Sequence, residues 1–194
     1  LNNLALVLAA QDKRKEAEPL YRAALEMRQS VLGNEHPTTT YSMTNLATLL
    51  DQMNHLEEAE AGYREALRLR RNIFGDDHPA VASVLYQIGW LQSRRGQLDQ
   101  ARVHLEEALE IRSRVLGADH PSTAVILNAV AVVATDMGEV DQAEQWLRRA
   151  LSIYRSVFGD SHHDIALVIG NLGKTMQVKG NFNEAERLLL QALE

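Results

Sequence analysis

Residues 32–37 read Leu-Gly-Asn-Glu-His-Pro, and closely related hexapeptides begin again every 42 residues. These later copies occupy residues 74–79, 116–121 and 158–163. Alanine recurs at the same interval in a series of five positions that runs from Ala17 to Ala185. A fixed period of this length predicts one structural unit per repeat, with each unit stacked on its neighbours in an array.

Each unit contains two helical patterns. In the second unit Met43, Leu46 and Leu50 are spaced as one face of a helix, and a second apolar series follows a short break. Glycine favours the end of a helix and proline its first position, and the hexapeptides contain both. The predicted A helices, first in each pair, are 1–11, 37–53, 79–95, 121–137 and 163–179. The predicted B helices are 14–32, 56–74, 98–116, 140–158 and 182–194.

A single helix pair cannot bury its apolar face, so stacking must supply the core. Small residues at equivalent positions, such as Ala59 and Ala66, let paired helices approach closely. We therefore predict an all-α solenoid of five stacked antiparallel helix pairs, the first and last truncated. The expected repeats of this single solenoid are about 1–36, 37–78, 79–120, 121–162 and 163–194. The chain starts with Leu1 in the middle of the pattern, so we expect it to be part of a longer protein.

Composition excludes several classes of protein. The 194 residues carry 20 Lys and Arg against 26 Asp and Glu, a net charge of −6 that disfavours nucleic-acid binding. The absence of cysteine excludes thiolate metal sites and is compatible with a reducing, cytoplasmic location. The longest apolar run, 124–134, is too short to span a membrane. We therefore predict no membrane insertion.

Several segments resemble the kinesin light chain subtype of the tetratricopeptide repeat. The matching segments are residues 2–5 (Asn-Asn-Leu-Ala), 17–21, 24–28 and 32–37. The resemblance implies a right-handed superhelix whose concave face, lined by the A helices, holds a peptide or helical segment of a partner protein. The same repeat occurs in nephrocystin-like proteins and in the C-terminal halves of bacterial serine/threonine kinases. The third A helix departs from the family pattern, since Tyr86 to Trp90 replace Asn-Asn-Leu-Ala.

Transfer of the family's concave positions predicts a peptide-binding groove. Its residues are Tyr41, Thr44, Thr48, Tyr86, Trp90, Arg94, Asn128, Val132 and Lys174. We expect apolar and aromatic anchoring by Tyr86, Trp90 and Val132, since aromatic residues dominate binding hot spots. Asn128, Arg94 and Lys174 would orient the partner. In the alternative interpretation, Trp90 packs on the next A helix and belongs to the core.

Other binding chemistries have weaker support. A carboxylate clamp, or a groove for acidic partners, needs converging cations and amides, and only Arg94, Lys174 and Asn128 qualify. The cations near B-helix ends, Arg70 among them, are expected to be solvated and to complement the helix dipole.

One histidine recurs per repeat: His36, His78, His120 and His162. Zinc needs imidazole nitrogens near 2 Å, whereas packed helices lie about 8–10 Å apart. These histidines are therefore interpreted as turn residues, and we predict neither a metal nor a cofactor.

No phosphate-binding glycine loop, zinc-protease motif or nucleophile elbow occurs, so we predict a non-catalytic interaction scaffold. Two alternatives stay open. In the first, the chain is the repeat region of a larger signalling enzyme such as a bacterial kinase. In the second, it self-assembles end to end through residues such as Leu189 and Leu193.

Overall fold

The computed structural model describes residues 1–160 and 162–193, and within them the secondary structure is entirely helical. The first five helices are α1 (Asn2–Ala10), α2 (Arg14–Leu32), α3 (Pro37–Gln52), α4 (Leu56–Phe74) and α5 (Pro79–Arg94). They are followed by α6 (Leu98–Leu116), α7 (Pro121–Asp136), α8 (Val140–Phe158), α9 (His163–Val178) and α10 (Phe182–Gln191). Odd-numbered helices are the A helices, and even-numbered helices are the B helices.

The predicted all-α solenoid class is confirmed, and the predicted helix bounds are close to those of the structure. Helices α2, α4, α6 and α8 match their predicted ranges at both ends. The A helices each end one residue earlier than predicted, and α10 ends at Gln191, not at residue 194. Glu194 itself lies outside the described residues.

The helices form two compact units, residues 1–91 and the residues from 92 onward. In unit 1, α1 packs on α2, α2 on α3, and α3 on α4. In unit 2 each helix from α6 to α10 packs on the next, and α7 also contacts α9. Each unit therefore contains antiparallel helix pairs stacked in chain order, while the single array over residues 1–194 and its repeat boundaries stay predictions.

The turn inside each helix pair uses a left-handed residue. Gly96, Gly138 and Gly180 adopt φ values of 72°, 82° and 83° there, a region that costs glycine nothing. Asp12 and Asn54 hold the equivalent positions with φ values of 63° and 64°. Asn and Asp tolerate this conformation better than other side chains, so a left-handed residue recurs at all five equivalent positions.

The recurring histidine is a helix cap. In α3, α5, α7 and α9 the Nδ1 atom of the histidine before the helix accepts a hydrogen bond from the backbone N–H two residues later, at 3.0–3.3 Å. The donors are Thr38, Ala80, Ser122 and Asp164. Such a bond satisfies a helix N–H that has no partner inside the helix.

Small residues permit the close helix packing that the sequence predicts. Ala59 and Ala66 are fully buried in unit 1, and Ala131 and Ala143 are fully buried in unit 2. In unit 1 a Cβ atom added to Gly62 of α4 would lie 3.1 Å from the Cβ atom of the alanine at position 47 in α3, tighter than an ordinary contact. Among the described residues, no helix is long and apolar enough to cross a bilayer.

Candidate functional site

Amide side chains join neighbouring A helices within each unit. In unit 2, Asn171 Nδ2 of α9 donates to Asn128 Oδ1 of α7 at 2.8 Å. In unit 1, Asn45 of α3 donates in the same way to Asn2 of α1 at 3.4 Å. The two pairs occupy equivalent positions. Each unit therefore has an A-helix face on which an asparagine amide of one A helix is hydrogen-bonded to an asparagine of the preceding A helix.

The A-helix face of unit 2 combines this amide pair with exposed aliphatic groups. Val125 is 37% exposed and Leu167 is 56% exposed, while Val132 is partly buried. Lys174 Nζ donates to Asp136 Oδ1 at 3.0 Å, so its charge is already paired. The face can therefore contact apolar side chains, and the Asn171 amide can hydrogen-bond a peptide backbone.

The predicted site residues of unit 1 divide into aromatic and hydroxyl groups. Tyr86 and Trp90 lie one turn apart on α5, and both are partly buried. Their rings meet edge to face, with centroids 6.3 Å apart. The Thr48 hydroxyl accepts a hydrogen bond from the Tyr63 hydroxyl at 3.0 Å and donates to the Thr44 carbonyl at 2.9 Å. Thr48 therefore contributes mainly to packing of α3 on α4.

The structure corrects the expectation that Arg70 is a solvated cation. This residue of α4 is only 1% exposed and reaches the adjacent A helices. It donates to the Ala80 carbonyl of α5 at 2.8 Å and to the Thr44 hydroxyl of α3 at 2.9 Å. Tyr41, which is 47% exposed, covers its guanidinium at 4.5 Å from the ring centroid. The predicted site residues Tyr41 and Thr44 thus lie directly over a buried positive charge.

Burial dominates the electrostatics of Arg70. In the described part of the chain it forms no ion pair, and its partners are hydroxyls, carbonyls and one aromatic ring. Loss of hydration lowers the pKa of the guanidinium to about 10. Arg28, one repeat earlier, donates to the Thr38 carbonyl, which is equivalent to that of Ala80. In both repeats, the arginine at this position of the B helix therefore donates a hydrogen bond to the start of the next A helix.

The histidines of the fourth hexapeptide form a local cluster with an acid. Ligand atoms of His162, His163 and Asp164 lie within 4.8 Å of one another. The Phe158 and His162 rings stack with centroids 4.2 Å apart, and the His163 ring lies tilted against His162 at 4.6 Å. His162 Nδ1 already accepts the capping hydrogen bond of α9, and His163 Nε2 lies 3.1 Å from Asp164 Oδ1, so these ligand atoms are engaged within the segment. This geometry fits a helix cap better than a metal centre.

The roles of Asn171 and Arg70 were not predicted from the sequence, although the repeat pattern marks both positions. Asn171 is equivalent to Asn3 and Asn45, so the Asn-Asn motif already marked its position. Arg70 is equivalent to Arg28 and Arg112, a recurrence that solvation alone does not require. Of the remaining predicted residues, Arg94 is the exposed last residue of α5, and Asn128 is only 7% exposed.

Comparison with known proteins identifies the repeat. The family model described as "Tetratricopeptide repeat" matches residues 1–72, 56–113, 93–150 and 122–194, which together span the chain. No curated protein matches the sequence.

Solved structures share the fold over nearly all of this chain. BtubC (BKLC) from P. vanneervenii superposes with a TM-score of 0.84 at 26% identity, covering 97% of this chain and 75% of that one. The "putative kinesin light chain nearly identical TPR-like repeats" of Podosopora anserina have a TM-score of 0.81 at 21% identity and coverages of 98% and 90%. The apo form of RapI has a TM-score of 0.82 at 14% identity and coverages of 98% and 67%.

The 42-residue period and these structural neighbours agree with the match of the family model along the chain. The chain belongs to the tetratricopeptide repeat family, as an array of the kinesin light chain-like type.

Proposed function

We propose that the chain is a non-catalytic, cytoplasmic scaffold whose A-helix faces, on the concave side, bind a peptide or helical segment of a partner protein. The observation that carries this proposal is the face of unit 2, where exposed Val125 and Leu167 flank an amide pair. Peptide recognition needs both apolar contact area and groups that bond a backbone. This face provides both on two adjacent helices.

The chemistry of binding follows from the residues present. Asn171 uses one amide N–H to hold Asn128, which leaves its second N–H and its Oδ1 for a partner's backbone carbonyl and N–H. In unit 1, the Tyr86–Trp90 pair offers an aromatic surface of the kind found at binding hot spots. Lys174 is paired with Asp136, which favours an apolar partner segment over an acidic one.

The test is peptide selection on the full 194-residue chain, followed by affinity measurement on variants. We expect Leu167→Asp to weaken binding of the selected peptide at least tenfold, because it places a charge in the apolar contact area. The matched control is Val103→Asp on α6, a B helix, where the valine is 62% exposed. Equal affinity of both variants for the peptide, with intact helical spectra, would contradict the assignment of the binding face.

A second candidate is end-to-end association of this chain with a second copy. Leu4 of α1 is 54% exposed, whereas its equivalents Leu46, Ile88, Val130 and Leu172 are 0–7% exposed. Leu189 of α10 is 41% exposed, whereas Tyr21, Tyr63, Leu105 and Leu147 are 0–3% exposed. These two surfaces are the opposite halves of the contact that helix pairs make inside each unit.

Sedimentation velocity of this chain over a range of concentrations tests self-association. We expect the sedimentation coefficient to rise with concentration, and to stop rising when Leu189→Asp places a charge in the contact. A concentration-independent coefficient of the monomer would rule this candidate out, and peptide binding would be unaffected.

A further inference from the structure

An apolar pocket lies between the two B helices of unit 1, away from the A-helix face proposed to bind peptides. Its volume is about 290 Å³, and α3 forms its floor. We call it the Gly62 pocket, and its apolar lining includes Leu25, Met43, Leu46, Ala47, Leu50 and Gly62. Apart from Leu25 and Gly62, these lining residues are buried, so the floor of the pocket is part of the hydrophobic core of unit 1.

Gly62 lines the pocket and has no side chain to occupy it, although a Cβ atom there would lie 3.1 Å from the Cβ atom of Ala47. The equivalent positions carry Leu20, His104, Trp146 and Leu188. In unit 2, Trp146 of α8 packs against a core cluster that includes Leu127, Ala131 and Ala134. These three residues are equivalent to Met43, Ala47 and Leu50, the floor of the Gly62 pocket. Unit 2 therefore has an indole packed on its core at the position where unit 1 has a glycine beside a pocket.

Leu109 strengthens the correspondence. It packs against the same cluster of unit 2 and is equivalent to Leu25, which forms one wall of the Gly62 pocket. Four lining residues of the pocket thus have equivalents in, or packed against, the core cluster that Trp146 contacts in unit 2.

We propose that the Gly62 pocket binds an aromatic side chain, preferentially tryptophan, presented by a partner protein. Buried aromatic anchors in such pockets supply much of the free energy of many protein interfaces. An apolar cavity of about 150 Å³ is sufficient to bind benzene, so this larger pocket has room for an indole ring.

The rim of the pocket complements the polar group of tryptophan. Glu58 and Glu65 of α4 line the opening, and their pKa values are lowered by hydrogen bonds from Arg22 and Arg68, so both are ionised at neutral pH. A carboxylate oxygen accepts hydrogen bonds at more than one site, so either can also accept the indole N–H. Phenylalanine would fill the pocket without this bond, and an aliphatic side chain would fill it less completely.

The test uses N-acetyl-tryptophanamide as the smallest chain-borne indole, N-acetyl-leucinamide as its matched control, and free indole. Methyl signals of Met43, Leu46 and Leu50 in the NMR spectrum of the full chain report binding. We expect saturable shifts with N-acetyl-tryptophanamide at a Kd of about 1 mM, as a ligand of this size allows, and at least tenfold weaker binding of the leucine control.

Filling the pocket must abolish these shifts. Gly62→Trp introduces the side chain found at the equivalent Trp146, and Ala47 must shift by a few tenths of an ångström because the new Cβ atom would lie 3.1 Å from its own. If that variant unfolds, Gly62→Leu serves instead, because leucine occupies the equivalent positions 20 and 188. The reverse variant, Trp146→Gly, should create a second pocket and add shifts at the methyl groups of Leu127.

Each outcome decides the proposal. Saturable shifts in the natural sequence that a filled variant loses at least tenfold support it. Absence of shifts at the three methyl groups, or equal binding by the filled variant, overturns it. Binding of free indole without N-acetyl-tryptophanamide overturns the assignment to a partner side chain, because the pocket would then exclude a ring attached to a peptide backbone.

Discussion

Replacement of Arg70 by methionine measures how an uncompensated buried charge contributes to unit 1. Methionine retains most of the aliphatic stem, so the change removes the guanidinium and leaves little empty space. It eliminates hydrogen bonds to Ala80 and Thr44 and to the Thr40 hydroxyl, at 2.8, 2.9 and 3.3 Å. It also removes the contact with the Tyr41 ring.

Two opposing terms determine the size of the effect. Three hydrogen bonds to a charged group are together worth about 5–9 kcal/mol in stability. Burial lowers the pKa of Arg70 from 12.5 to about 10, and this corresponds to about 3 kcal/mol of lost hydration. The hydrogen bonds outweigh the desolvation, so we expect Arg70→Met to lower the free energy of unfolding by about 2–6 kcal/mol.

Urea denaturation followed by circular dichroism gives this free energy, and hydrogen exchange in the first turn of α5 localises the effect. The control is Arg68→Met on the same helix, where the arginine is exposed and pairs with Glu65; we expect it to change stability little. An Arg70→Met protein as stable as the natural sequence, or more stable, would refute the reasoning, because desolvation would then outweigh the hydrogen bonds.

Three further changes test other parts of the structure. Asn54→Gly should raise the free energy of unfolding by about 0.5–1 kcal/mol, because glycine adopts the left-handed turn without strain; a lower urea midpoint would contradict this. His120→Ala should cost about 1 kcal/mol by removing the cap on the Ser122 N–H, and His120→Asn, which restores a cap, should cost less. Hydrogen bonds from Lys179 and, to a lesser extent, from Arg148 lower the pKa of the Glu144 carboxyl group. The stability that this carboxylate contributes is therefore fully present above its unfolded pKa near 4.5, and it is lost as the pH falls through its lower folded pKa. The stability difference between the natural sequence and Glu144→Gln should therefore shrink in urea titrations at successively lower pH, and a constant difference would show that the pairing is unimportant.

The A-helix faces were only partly predictable from sequence. Tyr86 and Trp90 are four residues apart on a helix, so their contact follows from helical geometry alone. The hydrogen bond between Asn171 and Asn128 depends on how α9 stacks on α7. The spacing of residues along one helix does not show which residue of another helix lies opposite. Lys174 was expected to orient a partner, but its pairing with Asp136 on the neighbouring helix became apparent only in the structure.

The amino-acid sequence by itself determined the helices and their pairing. Helix propensity, glycine turns, histidine caps and apolar spacing act within a few residues, and the 42-residue period repeats them. Only the tertiary structure showed that the Arg70 side chain is buried and that Gly62, which has no side chain, lines a pocket. Arg70 reads as a surface cation until α3 and α5 cover it, and Gly62 reads as a neutral small residue until α2 and α3 enclose the space beside it. Burial and cavities depend on the distance between helices that are far apart in the chain, and no local pattern contains that distance.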